Sequence, residues 1–181
     1  MTVSLVSCDP HATIQAVCSA GELVPFEALP MGPLSNVNWA DPRLGQALLP
    51  YHVDVSTDQA SRRPALQGAI TRWIDCVAGP LHRHNVLDLF CGRSARPQEF
   101  VGRGGATYCG IDINPVVVAA ALKEGPDNAL FYCSDAAHFV ESSNVDGFTL
   151  ILLLYECLNG LGRSAATSLL HQLGRRCRPG T

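Results

Sequence analysis

Four short apolar runs in the second half of the chain are separated by stretches with helical spacing. The runs cover residues 85–90, 106–111, 129–133 and 148–154. They are continuous, as in strands that are buried on both faces of a sheet. Helical spacing follows each run, at 97–101, 115–124, 136–141 and 164–177. Because strands that alternate with helices form parallel sheets, the pattern predicts an α/β fold with helices on both faces.

The first third of the chain has less regular spacing and many prolines. Short helices are predicted at 10–20 and 41–49. Ser61 then has the character of a helix N-cap, and the helix that follows it ends before Gly79. The residues at helical spacing in it are Pro64 in the first turn, then Leu66, Ile70, Trp73, Ile74 and Val77. We therefore divide the chain into an N-terminal extension over 1–60 and a domain over 61–181.

Composition and charge narrow the class of protein. Hydrophobic residues make up 47% of the chain and charged residues 16%, which suits one compact domain rather than a disordered chain. The formal net charge of −3 argues against a nucleic-acid partner, because binding its backbone needs clustered Lys and Arg. The eight cysteines form no C-x-x-C pair, and neither a membrane-length apolar run nor a secretory leader pattern is seen. We expect no metal, no membrane contact and a reducing, cytoplasmic location.

The first candidate site is the turn that follows the run at 85–90. A turn containing Gly92 brings backbone N–H groups close to a ligand and favours an anion there. Asp88 lies inside the same run. Many strand-to-helix turns contain a glycine, so this segment alone leaves ligand binding and simple chain reversal equally open.

Acidic residues follow the next two strands. Asp112 lies at the end of the second strand, where a carboxylate can accept hydrogen bonds from both hydroxyls of a ribose. The alternative is that Asp112 caps the helix that begins near Pro115. Asp135 follows the third strand, where it can accept from the amine of an adenine beside the small Ala136. Taken alone, Asp135 is interpreted as an N-cap.

Together these segments resemble the ordered motifs of class I S-adenosylmethionine-dependent methyltransferases. The resemblance covers about residues 60–181 and rests on the segments 86–92, 110–115, 134–136, 146–154 and 178–180. It implies a Rossmann-like sheet of strand order 3-2-1-4, with S-adenosylmethionine as cofactor. It also implies methyl transfer to a small-molecule acceptor.

The resemblance implies a role for each matching residue. Asp88, Phe90 and Gly92 would lie around the methionine part of the cofactor, and Asp112 would hold its ribose. The adenine would contact Ile113, Ser134, Asp135 and Ala136. Tyr155 and Glu156 would lie near the sulfonium and the substrate. No catalytic residue is nominated, because holding two reactants in line can supply much of the rate. His52 and His138 are interpreted as ordinary histidines.

The sequence departs from the family pattern in two places. Phe90 and Ser94 stand where glycines are usual, so their side chains would narrow the approach to the cofactor's carboxylate. The sequence stops at Thr181, where the family continues with further strands. We therefore expect a sheet that is incomplete at its C-terminus, with its fourth strand as an edge. A homodimer or a partner chain would cover that edge.

Two other functions stay open at this point. A non-catalytic methyltransferase-like subunit, or a truncated remnant, would act by binding a partner chain. A nicotinamide-dependent oxidoreductase would share the acid after the second strand, although the G-x-G-x-x-G turn is missing. The sequence leaves open the methyl acceptor, the oligomeric state and whether the extension forms a lid over the substrate.

Overall fold

The computed structural model describes residues 37–56, 58, 60–93, 100, 107–155 and 157–177. The predicted helix at 10–20 lies outside these residues, as does most of the predicted helix at 97–101. Ser94, Glu156 and the segment 178–180 also lie outside them.

The described strands form a parallel sheet in the order β3-β2-β1-β4, as predicted. The strands are β1 (Asn85–Leu89), β2 (Thr107–Asp112), β3 (Ala129–Cys133) and β4 (Leu150–Leu153). The apolar run at 148–154 is longer than the strand it contains. At its start, Asn85 N donates to Thr149 Oγ1 at 3.0 Å, so a side chain takes part in the contact between the two strands. At its end, Tyr155 has a positive φ of 62° and turns the chain away from the sheet.

The described helices agree with the predicted spacing in most places. They are α1 (Pro42–Val53), α2 (Pro64–Ala78), α3 (Pro115–Glu124), α4 (Ala136–Ser142), α5 (Cys157–Leu161) and α6 (Arg163–Arg176), with a 3₁₀ turn at Leu81–Arg83. The short α5 and the 3₁₀ turn were not predicted. The N-cap prediction for α2 was wrong. The helix begins at Pro64, so Arg63 occupies that position without a side-chain cap, and Ser61 Oγ pairs with His52 Nδ1 at 3.1 Å.

Helices cover both faces of the sheet, which confirms the predicted layers. On one face, α2 and α3 pack on alternate strand residues in a cluster that includes Ile74, Val86, Tyr108, Val118 and Phe131. On the other face, α4 and α6 do so in a cluster that includes Leu87, Ile111, Val140, Leu169 and Leu173. The two clusters divide because successive side chains of a strand point to opposite faces.

A hydrogen bond between two fully buried side chains lies in the first of these clusters. Tyr108 Oη donates to Asp88 Oδ2 at 2.6 Å across the β1–β2 pair. A buried carboxylate is costly unless donors surround it, so this contact offsets part of the cost of placing Asp88 inside the core.

The N-terminal part of the described chain is attached to the domain through Asn114. The Asn114 side chain is buried, and its Nδ2 donates to Trp39 O at 2.8 Å and to Asp41 O at 3.0 Å. Its Oδ1 accepts from Val116 N at 3.1 Å, which caps α3. Gly45 of α1 lies directly against this amide, because a Cβ at that position would be only 2.0 Å from Asn114 Oδ1.

None of the described helices has the length and apolar character needed to cross a bilayer.

The contact between Gly45 and Asn114 predicts a strong effect of one methyl group. Gly45→Ala should lower the free energy of unfolding by about 1–3 kcal/mol, because the new Cβ overlaps a side chain that is held by three hydrogen bonds. Urea denaturation measures this change. Gly174→Ala in α6 is the matched control, because its Cβ meets nothing within 4 Å, and it should gain about 0.5–1 kcal/mol. Equal effects of the two substitutions would contradict the packing.

The buried contact of Asp88 gives a second stability prediction. Tyr108→Phe removes the donor and should lower the free energy of unfolding by about 1–3 kcal/mol. Tyr132→Phe serves as the control, because Tyr132 is 46% exposed and its change should stay within about 0.5 kcal/mol. A Tyr108→Phe protein as stable as the control would show that the hydroxyl contributes nothing to the core.

Candidate functional site

The carboxyl ends of the four described strands lie at one edge of the sheet. Most residues predicted to bind the cofactor lie there: Phe90 and Gly92 after β1, Asp112 and Ile113 at the end of β2, Ser134, Asp135 and Ala136 after β3, and Tyr155 after β4. The chain order reverses between β1 and β4, and in open α/β sheets ligands bind at such a switch point.

The turn after β1 has two residues with left-handed backbone conformation. Gly92 has φ 60°, and Phe90 has φ 70° although it carries a side chain. This conformation costs about 1–2 kcal/mol for a non-glycine residue. The Phe90 side chain packs against the cluster that α4 and α6 cover. The turn therefore has the left-handed backbone conformation that glycine adopts readily, while the aromatic ring of Phe90 contacts the core.

The Asp112 carboxylate connects the turns after β1 and β2. Its Oδ2 accepts from Gly92 N and its Oδ1 accepts from Asn114 N, each at 2.9 Å. Burial raises the pKa of Asp112, the hydrogen bonds from the Asn114 and Gly92 backbone oppose this, and the nearby Asp88 charge raises the pKa further. The residue is only half-buried, and a carboxylate has about four acceptor positions, so it can accept further hydrogen bonds from a ligand.

The end of β3 lies next to Asp112. Ser134 N donates to Asp112 O at 3.0 Å. Asp135 caps α4, as predicted, through a hydrogen bond of 2.9 Å from His138 N to its Oδ1. The Asp135 side chain is exposed, whereas Ala136 is buried and 4% accessible. Asp135 thus caps α4 and also presents an exposed carboxylate beside the turn after β2.

An arginine from the N-terminal side of α2 lies against the end of β4. The guanidinium carbon of Arg62 is 5.0 Å from the centre of the Tyr155 ring. A cation over an aromatic face is attracted by the negative face of the ring. Arg62 therefore lies at the same edge of the sheet as Asp112, although it precedes β1 in the chain.

His52 contacts the turn after β1 and was not predicted to do so. A Cβ at Gly92 would lie 3.3 Å from His52 Cε1. Burial lowers the pKa of His52, and the charge of Arg93 lowers it further. Arg93 Nη1 also donates to His52 O at 3.4 Å, while its Nη2 pairs with Glu124. No local pattern in the sequence predicts these contacts, because they join the end of α1 to residues far along the chain.

A cavity of about 630 Å³ adjoins the site at Cys133 and Ser134. It runs between β2, β3 and α4, and the rings of Tyr132 and Phe139 are among its walls. Its size falls in the range of small-molecule pockets. A second cavity, of about 410 Å³, is lined by Arg175 and Arg176 and does not include any of the predicted site residues. Within the described residues, no group of three His, Cys, Asp or Glu side chains could hold a metal ion.

No protein-family model and no curated protein sequence matches the chain. Solved structures do match it. The structure of SAM-bound CalS10, an amino pentose methyltransferase from Micromonospora echinaspora involved in calicheamicin biosynthesis, aligns with a TM-score of 0.56 and 17% identity over 73% of this chain and 52% of CalS10. WbdD aligns with a TM-score of 0.54 and 21% identity, over 76% of this chain and 34% of WbdD. The chain thus spans about half of CalS10 and a third of WbdD.

These likenesses concern the fold, since the sequences share less than a quarter of their residues. The strand order, the helices on both faces and the alignment with CalS10 agree with one another. The chain has the Rossmann-like α/β fold of class I S-adenosylmethionine-dependent methyltransferases.

Proposed function

We propose that the chain binds S-adenosylmethionine at the carboxyl ends of its strands and takes part in methyl transfer to a small-molecule acceptor. The observation that carries this proposal is the Asp112 carboxylate, which is half-buried at the end of β2 and fixed by two backbone N–H groups. CalS10, which has the same fold, is bound to S-adenosylmethionine in its structure.

The geometry around Asp112 fits a ligand with two neighbouring hydroxyls. Gly92 N and Asn114 N fix the plane of the carboxylate, so its remaining acceptor positions have a defined direction. Hydrogen bonds to a charged group contribute about 1.5–3 kcal/mol each. Because the two N–H donors come from the turns after β1 and β2, the carboxylate is held in place without the ligand.

The other residues at this edge suit the remaining parts of the cofactor. Ile113 is half-buried and offers an apolar contact for an adenine, with Ser134, Asp135 and Ala136 at the edge of its ring. Phe90, Gly92 and the buried Asp88 would shape the region of the methionine part. Tyr155 would lie near the sulfonium and the acceptor, and the resemblance assigns the same role to Glu156, which lies outside the described residues.

S-adenosylmethionine supplies an activated methyl group when it is bound. The residues of this chain then have to hold the cofactor and the acceptor in line and to keep water out. Good positioning of two reactants can lower the activation barrier of a reaction by about 7–11 kcal/mol. The net charge of −3 supports a small-molecule acceptor rather than a nucleic acid. The proposal includes a cytoplasmic location, supported by eight cysteines without a paired spacing.

One observation favours a second candidate function, the binding of a partner chain. Within the described sheet β4 is an edge strand, and Leu150, Ile151 and Leu153 are partly exposed on it. An apolar edge strand can pair with another chain. Light scattering on the purified protein would detect a homodimer directly, and a stable dimer without cofactor binding would favour this second function.

Calorimetric titration with S-adenosylhomocysteine tests the proposed cofactor site. The wild-type chain should bind it with micromolar affinity, and Asp112→Ala should weaken binding by about 10- to 100-fold, because the ribose loses its charged acceptor. Asp146→Ala is the matched control, since Asp146 is an exposed aspartate in the loop before β4 and its loss should leave the affinity unchanged. Failure of a folded wild-type chain to bind would rule out the proposed function.

The raised pKa of Asp112 predicts a dependence of binding on pH. A protonated Asp112 loses acceptor capacity, so the affinity for S-adenosylhomocysteine should fall as the pH is lowered through the Asp112 pKa, which lies above the ordinary range for aspartate. Asp112→Asn should bind more weakly at neutral pH and lack this phase, which separates it from protonation of the ligand. Identical pH profiles for both proteins would place the relevant proton elsewhere.

A further inference from the structure

We propose that the two cavities described above form one continuous site for an amphiphilic acid, a small molecule with an apolar body and one carboxylate. The cavity of about 630 Å³ between β2, β3 and α4 holds the apolar body, and we call it the aromatic groove. The cavity of about 410 Å³ holds the carboxylate, and we call it the arginine pocket. The proposed ligand is distinct from the cofactor, so neither proposal depends on the other.

The two cavities meet at the end of α4. Both are lined by Ser142, Ser143 and Asn144, where α4 ends and the loop before β4 begins. The aromatic groove follows β3 from Ser134 to Leu130, which is about 13 Å at the usual rise of a strand. Because the loop between α4 and β4 lies at the amino ends of the parallel strands, the groove leads away from the cofactor edge. The arginine pocket lies at the opposite edge of the sheet.

Apolar side chains form much of the wall of the aromatic groove. Leu130 and Tyr132 point to the same face of β3, because alternate strand residues do, and they are 56% and 46% exposed. The Tyr132 ring lies 5.8 Å from the ring of Phe139 in α4, measured between ring centres. Phe148, in the loop before β4, adds a half-buried ring. An apolar body that covers these side chains removes their surface from water, which favours binding.

Two arginines provide the positive charge of the arginine pocket. Arg175 and Arg176 lie in the last turn of α6, and none of the ion pairs in the described part of the chain includes either of them. Arg176 Nη2 donates to Ser143 O at 3.0 Å, which offsets the partial negative charge at the end of α4. Asn144 Oδ1 accepts from Asp146 N at 3.0 Å, so the Asn144 Nδ2 group remains a donor. Two planar guanidinium groups and an amide form a donor set that suits a carboxylate.

The Asp146 carboxylate limits the charge of the ligand. It lines the arginine pocket and is exposed, and it has no ion pair with either arginine within the described chain. Two positive side chains and one negative side chain complement a head group with a single negative charge better than a dianion such as phosphate. The apolar groove beside the pocket then favours acids that carry an apolar body over small inorganic anions.

Three probes separate the two parts of the site. 4-Phenylbutyrate carries an aromatic body and a carboxylate, 4-phenylbutanol has the same body without the charge, and acetate has the head group alone. NMR titration of the full ¹⁵N-labelled chain should show 4-phenylbutyrate binding with a Kd of about 0.3–3 mM. The alcohol should bind about 5- to 10-fold more weakly, because it lacks the charged contacts. Acetate should not bind detectably, because it lacks the body.

Removal of both arginine charges tests the arginine pocket. The double variant Arg175→Gln with Arg176→Gln should weaken 4-phenylbutyrate binding by about 5- to 10-fold and leave 4-phenylbutanol binding unchanged within a factor of about two. Arg72→Gln with Arg83→Gln is the matched control, because it removes the same charge from two exposed arginines outside both cavities. This control should bind both probes as the wild-type chain does.

Two single substitutions test the groove and the opposing charge. Tyr132→Ala should weaken both 4-phenylbutyrate and 4-phenylbutanol by about 3- to 10-fold, because both bodies lose an apolar wall. Tyr51→Ala is its control, since Tyr51 is 48% exposed on α1 and lines neither cavity. Asp146→Asn should strengthen binding of the acid by about 2- to 3-fold without affecting the alcohol.

The outcomes give a clear decision. The selective loss in the arginine double variant together with the common loss in Tyr132→Ala would support the site. Failure of the folded wild-type chain to bind 4-phenylbutyrate, or equal affinities for the acid and the alcohol, would overturn it. Equal losses in the two double arginine variants would also overturn it, because the charge would then act non-specifically. If the Arg175 and Arg176 double variant does not fold by circular dichroism, Arg175→Gln alone gives the decision. S-adenosylhomocysteine titrations remain a separate test of the proposed function.

Discussion

One buried amide side chain, that of Asn114, joins three parts of the structure. Its oxygen caps α3, its nitrogen donates to two carbonyl oxygens of the N-terminal segment, and its backbone N–H binds the Asp112 carboxylate. A buried amide that lost one of these partners would leave a polar group unsatisfied, at a cost of about 1–3 kcal/mol. The geometry of the β2 turn, the start of α3 and the position of α1 therefore depend on one another.

Hydrogen bonds from the protein also allow two carboxylates, those of Asp88 and Asp112, to lie close together. Asp88 is enclosed in the core beside Tyr108, and Asp112 is half-buried beside two backbone donors. The negative charge of Asp88 contributes to the raised pKa of Asp112. Each carboxylate is stabilised by its own hydrogen bonds, so the two can lie on neighbouring strands near the same edge of the sheet.

The sequence predicted the elements whose signals are local. The strands β1 to β3 are apolar runs and appear within a residue or so of their expected bounds, and α3 was predicted at its observed bounds because Pro115 marks its start. Ser61 was misjudged because its partner, His52, comes from another element. The five-residue α5 lacks the length at which helical spacing can be recognised, and it includes Gly160.

In the candidate site, too, only the residues with a local signal could be predicted from the sequence. Asp112 could be placed from the sequence because the end of a parallel strand has a fixed location in this fold. The contacts of His52, Arg62 and Arg93 could not, because each joins residues that no periodicity relates. The bond between Arg93 and His52, for example, spans 41 positions along the chain. Asn114 and Arg93 hold α1 against the turns after β1 and β2 through hydrogen bonds made within the chain itself. To the extent of these contacts, a ligand bound beside α1 would lose its own freedom of motion without the additional entropic penalty of attaching this helix.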